Sequence, residues 1–312
     1  MQQTNNTYIG VDIAKTNFVA DLSGRHTTFA QNAQGIKQFI RELPADACVV
    51  CEATGGYEQT LMRALHAAGI SAAVLMPKRV RFYAKSLGLL AKSDPLDARL
   101  LSRYARANAE TMRLFQERPQ NEDQLRELLR ARDGLIEQIK NETNHAEHPG
   151  GIALLARQAS SRRRMFEEQL EQIEAAIEKL VASDQSLRQR SERIRQIQGV
   201  GKVCAWTVLA ELPEFGTLKK GQAACLVGLA PFCQDSGQKN ASRHISGGRP
   251  RPRRVFYMAA ISAARCNPVL REFYQRLRAR GKPAKIALVA VMRKLAELIN
   301  HALKYPDFSL AR

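Results

Sequence analysis

Towards the N-terminus, apolar residues come in short runs broken by turn-forming positions, the pattern of strands and brief helices. Tyr8-Ile9-Gly10-Val11-Asp12, Asn17 to Leu22 and His26 to Ala30 predict three closely spaced strands, hence an antiparallel meander. A helical stretch over Gly35 to Leu43 leads to a strand over Cys48 to Ala53 and a helix over Glu58 to Ala68. A further strand, Ser71 to Met76, is ended by Pro77. The order is βββαβαβ followed by helix, a ribonuclease-H-like α/β layout.

From about Asn121 the period changes. Leu125, Leu128, Leu129, Leu135, Ile136 and Ile139 recur at helical spacing among charges. Beyond a break at His145 to Gly151, the residues Phe166, Leu170, Ile173, Ile177 and Leu180 step by 4, 3, 4 and 3. This heptad-like seam predicts two long helices, either an antiparallel pair serving as an oligomerisation arm or a bundle packed on its own domain. Spacing does not choose between them.

The third region opens on Ile197-Gln198-Gly199-Val200-Gly201-Lys202 and an apolar helix over Val203 to Leu212. Its glycines suit either a helix-hairpin-helix element, whose backbone amides approach a phosphate, or a tight turn between helices. After Gln222 to Pro231 and a polar segment from Gln234 to Gly248 comes Arg249-Pro250-Arg251-Pro252-Arg253-Arg254, then a helix over Val255 to Arg265. The alternating prolines predict an extended strip of guanidinium groups. The chain thus divides into an α/β domain over 1–118, a helical coiled-coil or oligomerisation region over 119–192, and a mainly α C-terminal domain over 193–312.

Charge alters the picture of the last region most. Between Gly237 and Arg312 there are 17 Lys or Arg against 3 Asp or Glu, so +14 of the chain's formal +18 sits in its final quarter. A polyanionic partner follows, and nucleic acid is the leading candidate. Lys202, Arg243, Arg249, Arg251, Arg253 and Arg254 are the candidate phosphate contacts. No apolar run is long enough to span a bilayer and no leader-like segment begins the chain. The expected setting is therefore the cytoplasm, at the bacterial nucleoid when the protein acts, with no membrane partner. Cys48 and Cys51 lie three apart on a strand and so point to opposite faces; with no second Cys or His pair they read as buried thiols.

Four acids stand out as a set. Asp12 ends the first strand, Glu52 lies in the fourth, and Asp94 and Asp97 fall in Lys92-Ser93-Asp94-Pro95-Leu96-Asp97-Ala98-Arg99. Ser93 as cap and Pro95 in the first turn favour a helix start there, with Asp94 and Asp97 on one face. That face can lie over the sheet bearing Asp12 and Glu52. Carboxylates gathered so closely repel by roughly 4 kcal/mol per pair at ~4 Å and an effective dielectric of ~20, so a divalent cation is the natural neutraliser. Oxygen ligands select Mg²⁺, or Mn²⁺, and such ions assist displacement at phosphorus. Singly, each acid has an ordinary reading as a strand end, a helix-terminal charge or a salt-bridge partner.

Ile9-Gly10-Val11-Asp12-Ile13-Ala14-Lys15, Cys51-Glu52-Ala53-Thr54-Gly55-Gly56-Tyr57 and Lys92-Ser93-Asp94-Pro95-Leu96-Asp97-Ala98 resemble the signature segments of the DEDD transposases of insertion sequences. Gly228-Leu229-Ala230-Pro231, Asp235-Ser236-Gly237, Ile245-Ser246-Gly247-Gly248, Arg254 and Tyr257-Met258-Ala259-Ala260 resemble that family's second signature. The family is the insertion-sequence family one-ten, with its one-one-one-one subgroup and the Piv-type DNA invertases as relatives. The resemblance implies a RuvC-like N-terminal domain whose metal-binding, catalytic acids here are Asp12, Glu52, Asp94 and Asp97. It implies a coiled-coil connection and a C-terminal transposase domain whose nucleophile here is Ser236. It further implies an element-encoded bridge RNA that pairs with donor and target double-stranded DNA, and homodimers that meet in a homotetrameric synapse.

By residue type alone, Asp235-Ser236-Gly237 is a turn, and only Asp235 and His244 stand near it as bases. With the resemblance, the expected chemistry is a transient 5′-phosphoserine that leaves a 3′-hydroxyl for strand exchange. Such a link conserves energy without ATP, and the sequence has no GxxxxGK[ST] phosphate loop. Two other functions fit the residues: a RuvC-like nuclease that uses water, with Ser236 structural, and a non-catalytic nucleic-acid-binding protein.

Overall fold

The computed structural model describes residues 7–89, 94–147, 152–232, 244–305 and 307–308, with backbone alone for Asp94, Pro95 and Phe232. It separates into two compact units, Met1–Arg118 and Pro119–Arg312.

The first unit is built on a mixed five-stranded sheet. Its elements are β1 (Thr7–Ile13), β2 (Asn17–Leu22), β3 (Arg25–Ala30), α1 (Ala33–Glu42), β4 (Ala47–Glu52), α2 (Glu58–Ala67), β5 (Ser71–Leu75), α3 (Pro77–Ser86) and α4 (Asp94–Ala107). The spatial order is β3-β2-β1-β4-β5. β1, β2 and β3 are antiparallel neighbours, whereas β4 runs parallel to β1 and β5 parallel to β4. This is the arrangement expected of the ribonuclease-H-like layout, a sheet flanked by helices.

Strand alternation sorts the core onto two faces. Ile9, Val11, Phe18, Phe29, Val49 and Cys51 pack with Phe39 of α1 and Leu61 and Leu65 of α2. The rings of Phe18, Phe29 and Phe39 meet pairwise at 5.2–5.4 Å. On the opposite face, Cys48, Val50, Ala73 and Leu75 pack with Val80 of α3 and Leu100, Leu101 and Tyr104 of α4. Cys48 and Cys51 therefore do point apart; burial pushes the Cys48 thiol up to about 11 and the Cys51 thiol higher still.

The second unit is almost wholly helical. It comprises α5 (Gln120–Ala146), α6 (Ala153–Ser183), α7 (Gln185–Arg195), α8 (Lys202–Glu211), α9 (Gln222–Val227), a two-residue antiparallel pair β6 (Pro231–Phe232) and β7 (His244–Ile245), then α10 (Pro250–Cys266), α11 (Pro268–Ala279) and α12 (Ala284–Lys304). The long helices α5 and α6 are antiparallel: Arg162 of α6 holds the Glu142 carboxylate near the end of α5 with two 2.8 Å bonds, and Arg132 holds Glu174 at 2.8 Å. Leu125, Leu129, Ile177 and Val181 enter the same core as Trp206, Leu209, Phe256, Val291, Leu295 and Ile299. The outer part of the pair instead exposes Ile136, Leu154, Leu155 and Met165. No helix among the described residues is long and apolar enough to cross a membrane.

One expectation fails here. The Arg-Pro-Arg-Pro stretch is not an extended strip, because α10 already begins at Pro250 and takes in Pro252, Arg253 and Arg254. The first turn of a helix needs no N–H from its opening residues and accepts the fixed φ of proline, so prolines spaced this way start a helix.

Candidate active site

Parallel pairing carries β1 and β4 in register through Val11 and Cys51, and the next residues are Asp12 and Glu52. Alternation places both acids on the face that bears Gly10 and Val50, the side on which α4 packs. Contact with the helix is close because residue 10 has no side chain. A β-carbon there would stand 1.9 Å from the Ala98 carbonyl oxygen. The Ser102 hydroxyl accepts the Gly10 N–H at 2.7 Å and donates to the Asp21 carboxylate of β2 at 3.1 Å, so one buried hydroxyl fixes α4 against two strands. Asp97 precedes Ala98 on this pinned helix.

The outcome is a cleft of about 760 Å³ lined by Asp12, Glu52 and Asp97. Exposed Arg81 and Lys85 of α3 and Arg99 and Arg103 of α4 share its lining. Three of the four expected acids, drawn from three separate stretches of sequence, thus face one space. The backbone of Asp94 starts α4, as the Ser93-Asp94-Pro95 pattern predicts, while its side chain and Ser93 lie outside the described residues. Among the described residues no group of three or more His, Cys, Asp or Glu is gathered closely enough to hold a metal ion. A cleft lined by both acids and cations suits a phosphodiester: carboxylate oxygens suit a hard cation, and the basic side chains suit the flanking phosphates.

Glu58, which the acid pattern did not single out, shapes the loop after Glu52. Its buried carboxylate accepts the Thr54 N–H and hydroxyl, both at 3.0 Å, and the Gly56 N–H at 2.9 Å. Burial alone would raise its pKa; the hydrogen bonds from its own amide and those of Thr54 and Gly56 outweigh this and hold it below the ordinary carboxylate value. The sequence signal was present, since Glu58 opens a helix one residue beyond the pair Gly55-Gly56, both of which take positive φ. The basic residues of α3 were likewise legible as a charge run.

In the second unit, Ser236 and Arg243 lie outside the described residues. The residues bordering that segment are paired, Phe232 with His244 and Pro231 with Ile245. Below this pair the backbones of two signature segments touch. A β-carbon on Gly228 would lie 2.2 Å from the Gly247 carbonyl oxygen, and one on Gly248 would lie 2.1 Å from the Gly228 nitrogen. Arg253 donates to the carbonyls of Val227, at 3.3 Å, and Gly247, joining both sides of the contact.

The other candidate phosphate contacts divide by environment. Arg249 forks onto Glu214 at 2.9 and 2.6 Å and also reaches the Glu211 carbonyl. Arg251 binds Asp133 at 2.7 Å, Glu211 at 2.9 Å and the Leu129 carbonyl. Lys202 binds Glu178 at 3.0 Å and Glu174 at 3.3 Å. Arg254 is exposed and lines a second cleft with Gly199 and Gly201. Gly199 itself answers to packing: it has φ 95° and a β-carbon there would meet the Ala263 backbone at 2.4 Å.

Comparison with known proteins agrees with both signatures. A DEDD transposase model of the IS110 type matches residues 9–148, a span that includes Asp12, Glu52, Asp94 and Asp97. A second model, described as "Transposase IS116/IS110/IS902 family", matches residues 191–275, a span that includes Ser236. The chain is also similar to proteins named "Pilin gene-inverting protein" from Moraxella bovis and Moraxella lacunata, each 28% identical over 304 residues and covering 93% of both chains.

Proposed function

Because the chain is homologous, in both of its units, to the DEDD and IS116/IS110/IS902-family transposases and to the pilin gene-inverting proteins, we propose that it is a metal-dependent DNA transposase or site-specific recombinase that uses a serine nucleophile. The observation that carries the catalytic part is the meeting of Asp12, Glu52 and Asp97 in one cleft. Carboxylate oxygens are the donor type that Mg²⁺ or Mn²⁺ takes, and Asp12, Glu52 and Asp97 with Asp94 are the residues that would hold such an ion once drawn together around it. An ion held there would supply Lewis-acid stabilisation of the charge that develops at a scissile phosphate.

The chain's own groups perform the remaining tasks. Arg81, Lys85, Arg99 and Arg103 hold the phosphates on either side of the scissile one. Ser236 Oγ attacks phosphorus, the bond to the 3′ oxygen breaks, and a 5′-phosphoserine and a 3′-hydroxyl result. The serine proton passes through a neighbouring base to the departing oxygen; Asp235 and His244 are the nearest bases in sequence. Attack of a 3′-hydroxyl on the phosphoserine reverses the step and joins strands without ATP.

Site choice is delegated in this reading to an element-encoded bridge RNA. Support comes from the +14 of the last quarter of the chain, which suits backbone contact, and from the lack of a zinc-finger or basic-zipper reading motif. Assembly as dimers that meet in a tetramer is supported by the exposed Leu154, Leu155 and Met165 on the outer part of α6. The name of the Moraxella relatives speaks of gene inversion; for this chain we propose the shared step of DNA strand exchange, acting on double-stranded donor and target.

The test combines purified full-length protein, Mg²⁺, a plasmid carrying the DNA that flanks the gene, and RNA transcribed from the same locus. Rearranged plasmid is expected with wild type, and a loss of a hundredfold or more with Asp12→Asn, Glu52→Gln or Asp97→Asn. Tight DNA binding with every strand left intact by wild type overturns the proposal.

A further inference from the structure

A further cavity, of about 750 Å³, lies wholly within the second unit between α9, α11 and α12. Its floor is apolar, formed in part by Ala224, Leu270 and Leu298, and four rings line it, Phe273, His301, Tyr305 and Phe308. Its rim is cationic, with Lys219, Lys220, Arg293, Lys294 and Lys304 all exposed. The single carboxylate among the lining residues, Glu297, accepts the Gly221 N–H at 2.9 Å. Asn300 accepts the Gly216 N–H at 2.9 Å and donates to the Leu218 carbonyl at 3.1 Å, which fixes the loop carrying Lys219 and Lys220.

Cations and rings are interleaved rather than segregated. Lys294 Nζ stands 4.8 Å from the Phe273 ring centroid and the Arg276 guanidinium 5.6 Å from it, while Lys304 Nζ stands 5.7 Å from that of Tyr305. The His301 ring packs on Tyr305 at 4.5 Å. Apolar, aromatic surface ringed by five cations matches a ligand that is flat and apolar at one end and anionic at the other. An unpaired nucleotide has that form, its base lying on a ring and its phosphates on the lysines. A paired base in a duplex does not expose its face, and a simple anion has no use for the rings.

We propose that this cavity binds an unpaired base, with its flanking phosphates, of a single-stranded stretch of nucleic acid. The inference rests on the reading of the chain as a nucleic-acid enzyme and adds a place where a strand freed from pairing is held. Phe273 and Tyr305 carry the base; Lys219, Lys220, Lys294 and Lys304 carry the backbone.

The test measures binding of full-length protein to three fluorescent probes by anisotropy: a short oligothymidylate, an abasic strand of equal length and charge, and an intact duplex. Wild type is expected to hold oligothymidylate at least tenfold more tightly than the abasic strand. Phe273→Leu and Tyr305→Ala are expected to remove that preference and to leave duplex affinity and circular dichroism as in wild type. Substituting 5-iodouracil for thymine should give a photo-crosslink that maps to Phe273 or Tyr305, and oligouridylate in place of oligothymidylate tells RNA from DNA. Equal affinity for base-bearing and abasic strands overturns the proposal, as does a crosslink mapping elsewhere or a preference for anionic lipid vesicles over any oligonucleotide. Duplex binding that persists in those cases leaves the recombinase reading intact, whereas failure to bind any of the three nucleic acids defeats both.

Discussion

Gly10 of β1 lies directly against Ala98 of α4, so that a β-carbon at residue 10 would fall 1.9 Å from the Ala98 carbonyl oxygen and 2.7 Å from the Ser102 nitrogen. Both obstacles are backbone, which cannot swing aside. The contact sets the height of α4 above the sheet and with it the approach of Asp97 to the strand ends that bear Asp12 and Glu52.

Gly10→Ala is therefore expected to lift α4. A stability loss of about 1–3 kcal/mol should accompany loss of strand cleavage. Gly134→Ala is the comparison, since its β-carbon meets nothing within 4 Å in the body of α5; it should be neutral or stabilising by up to about 1 kcal/mol. Thermal unfolding and a cleavage assay on both variants check this, and a Gly10→Ala protein as active and stable as wild type contradicts the close approach.

The cationic lining of the acid cleft should hold phosphates. Arg99→Gln with Arg103→Gln is expected to weaken DNA binding and to lower the slope of log affinity against log salt by about two. Titration at several ionic strengths measures it. An unchanged slope would place those two arginines outside the interface.

Arg253 and Arg254 are adjacent in sequence and differ in task. Arg253 donates to the carbonyls of Val227 and Gly247 on either side of the segment that carries Ser236, whereas Arg254 is exposed. Arg254→Ala should weaken binding across all DNA sequences and reduce the salt slope by about one. Arg253→Ala should lower cleavage at least a hundredfold and shift affinity by no more than about threefold, as expected when positioning rather than binding is lost. Equal effects of the two substitutions on affinity would contradict this division.

Glu58 gives a pH signature. Its pKa is depressed on folding, so its stabilisation is present above the unfolded carboxylate range, near about 4.3, and is lost as pH falls through the lower folded value. Glu58→Gln should lower the unfolding midpoint at pH 7 by an amount equivalent to about 1–2 kcal/mol. The gap from wild type should narrow as pH falls from about 5 towards 3. A gap independent of pH would assign the effect to packing instead.

Much of the first unit was legible because its cues are local. Alternation and turn residues mark β1 to β5 to within a residue or two, and the Ser93-Asp94-Pro95 pattern marks the start of α4. The acid set was legible as residue types in the right order. That the helix bearing Asp97 can lie over Asp12 and Glu52 was legible too; the contacts that seat it there were not, since they are the approach of Gly10 to Ala98 and the Ser102 hydroxyl bonded to Gly10 and Asp21, links that span 81 and 92 residues. The arginines after Gly248 show the opposite case. Their composition suggested a free strip, but Glu211, Glu214 and Asp133, distant in sequence, engage Arg249 and Arg251 in the folded unit. Charge patterning records how many cations are present and is silent on which of them the fold itself consumes.

In the proposed reaction Ser236 becomes covalently joined to a DNA 5′-phosphate, and the step depends on the acid cleft. The most direct measurement is a denaturing gel of full-length protein incubated with Mg²⁺, labelled element-end DNA and the neighbouring RNA, for wild type, Ser236→Ala and Asp12→Asn. A protease-sensitive protein–DNA adduct is expected with wild type alone, and peptide mapping should place the phosphate on Ser236. Cut DNA without an adduct, or an adduct that persists in Ser236→Ala, would contradict a serine nucleophile at this position.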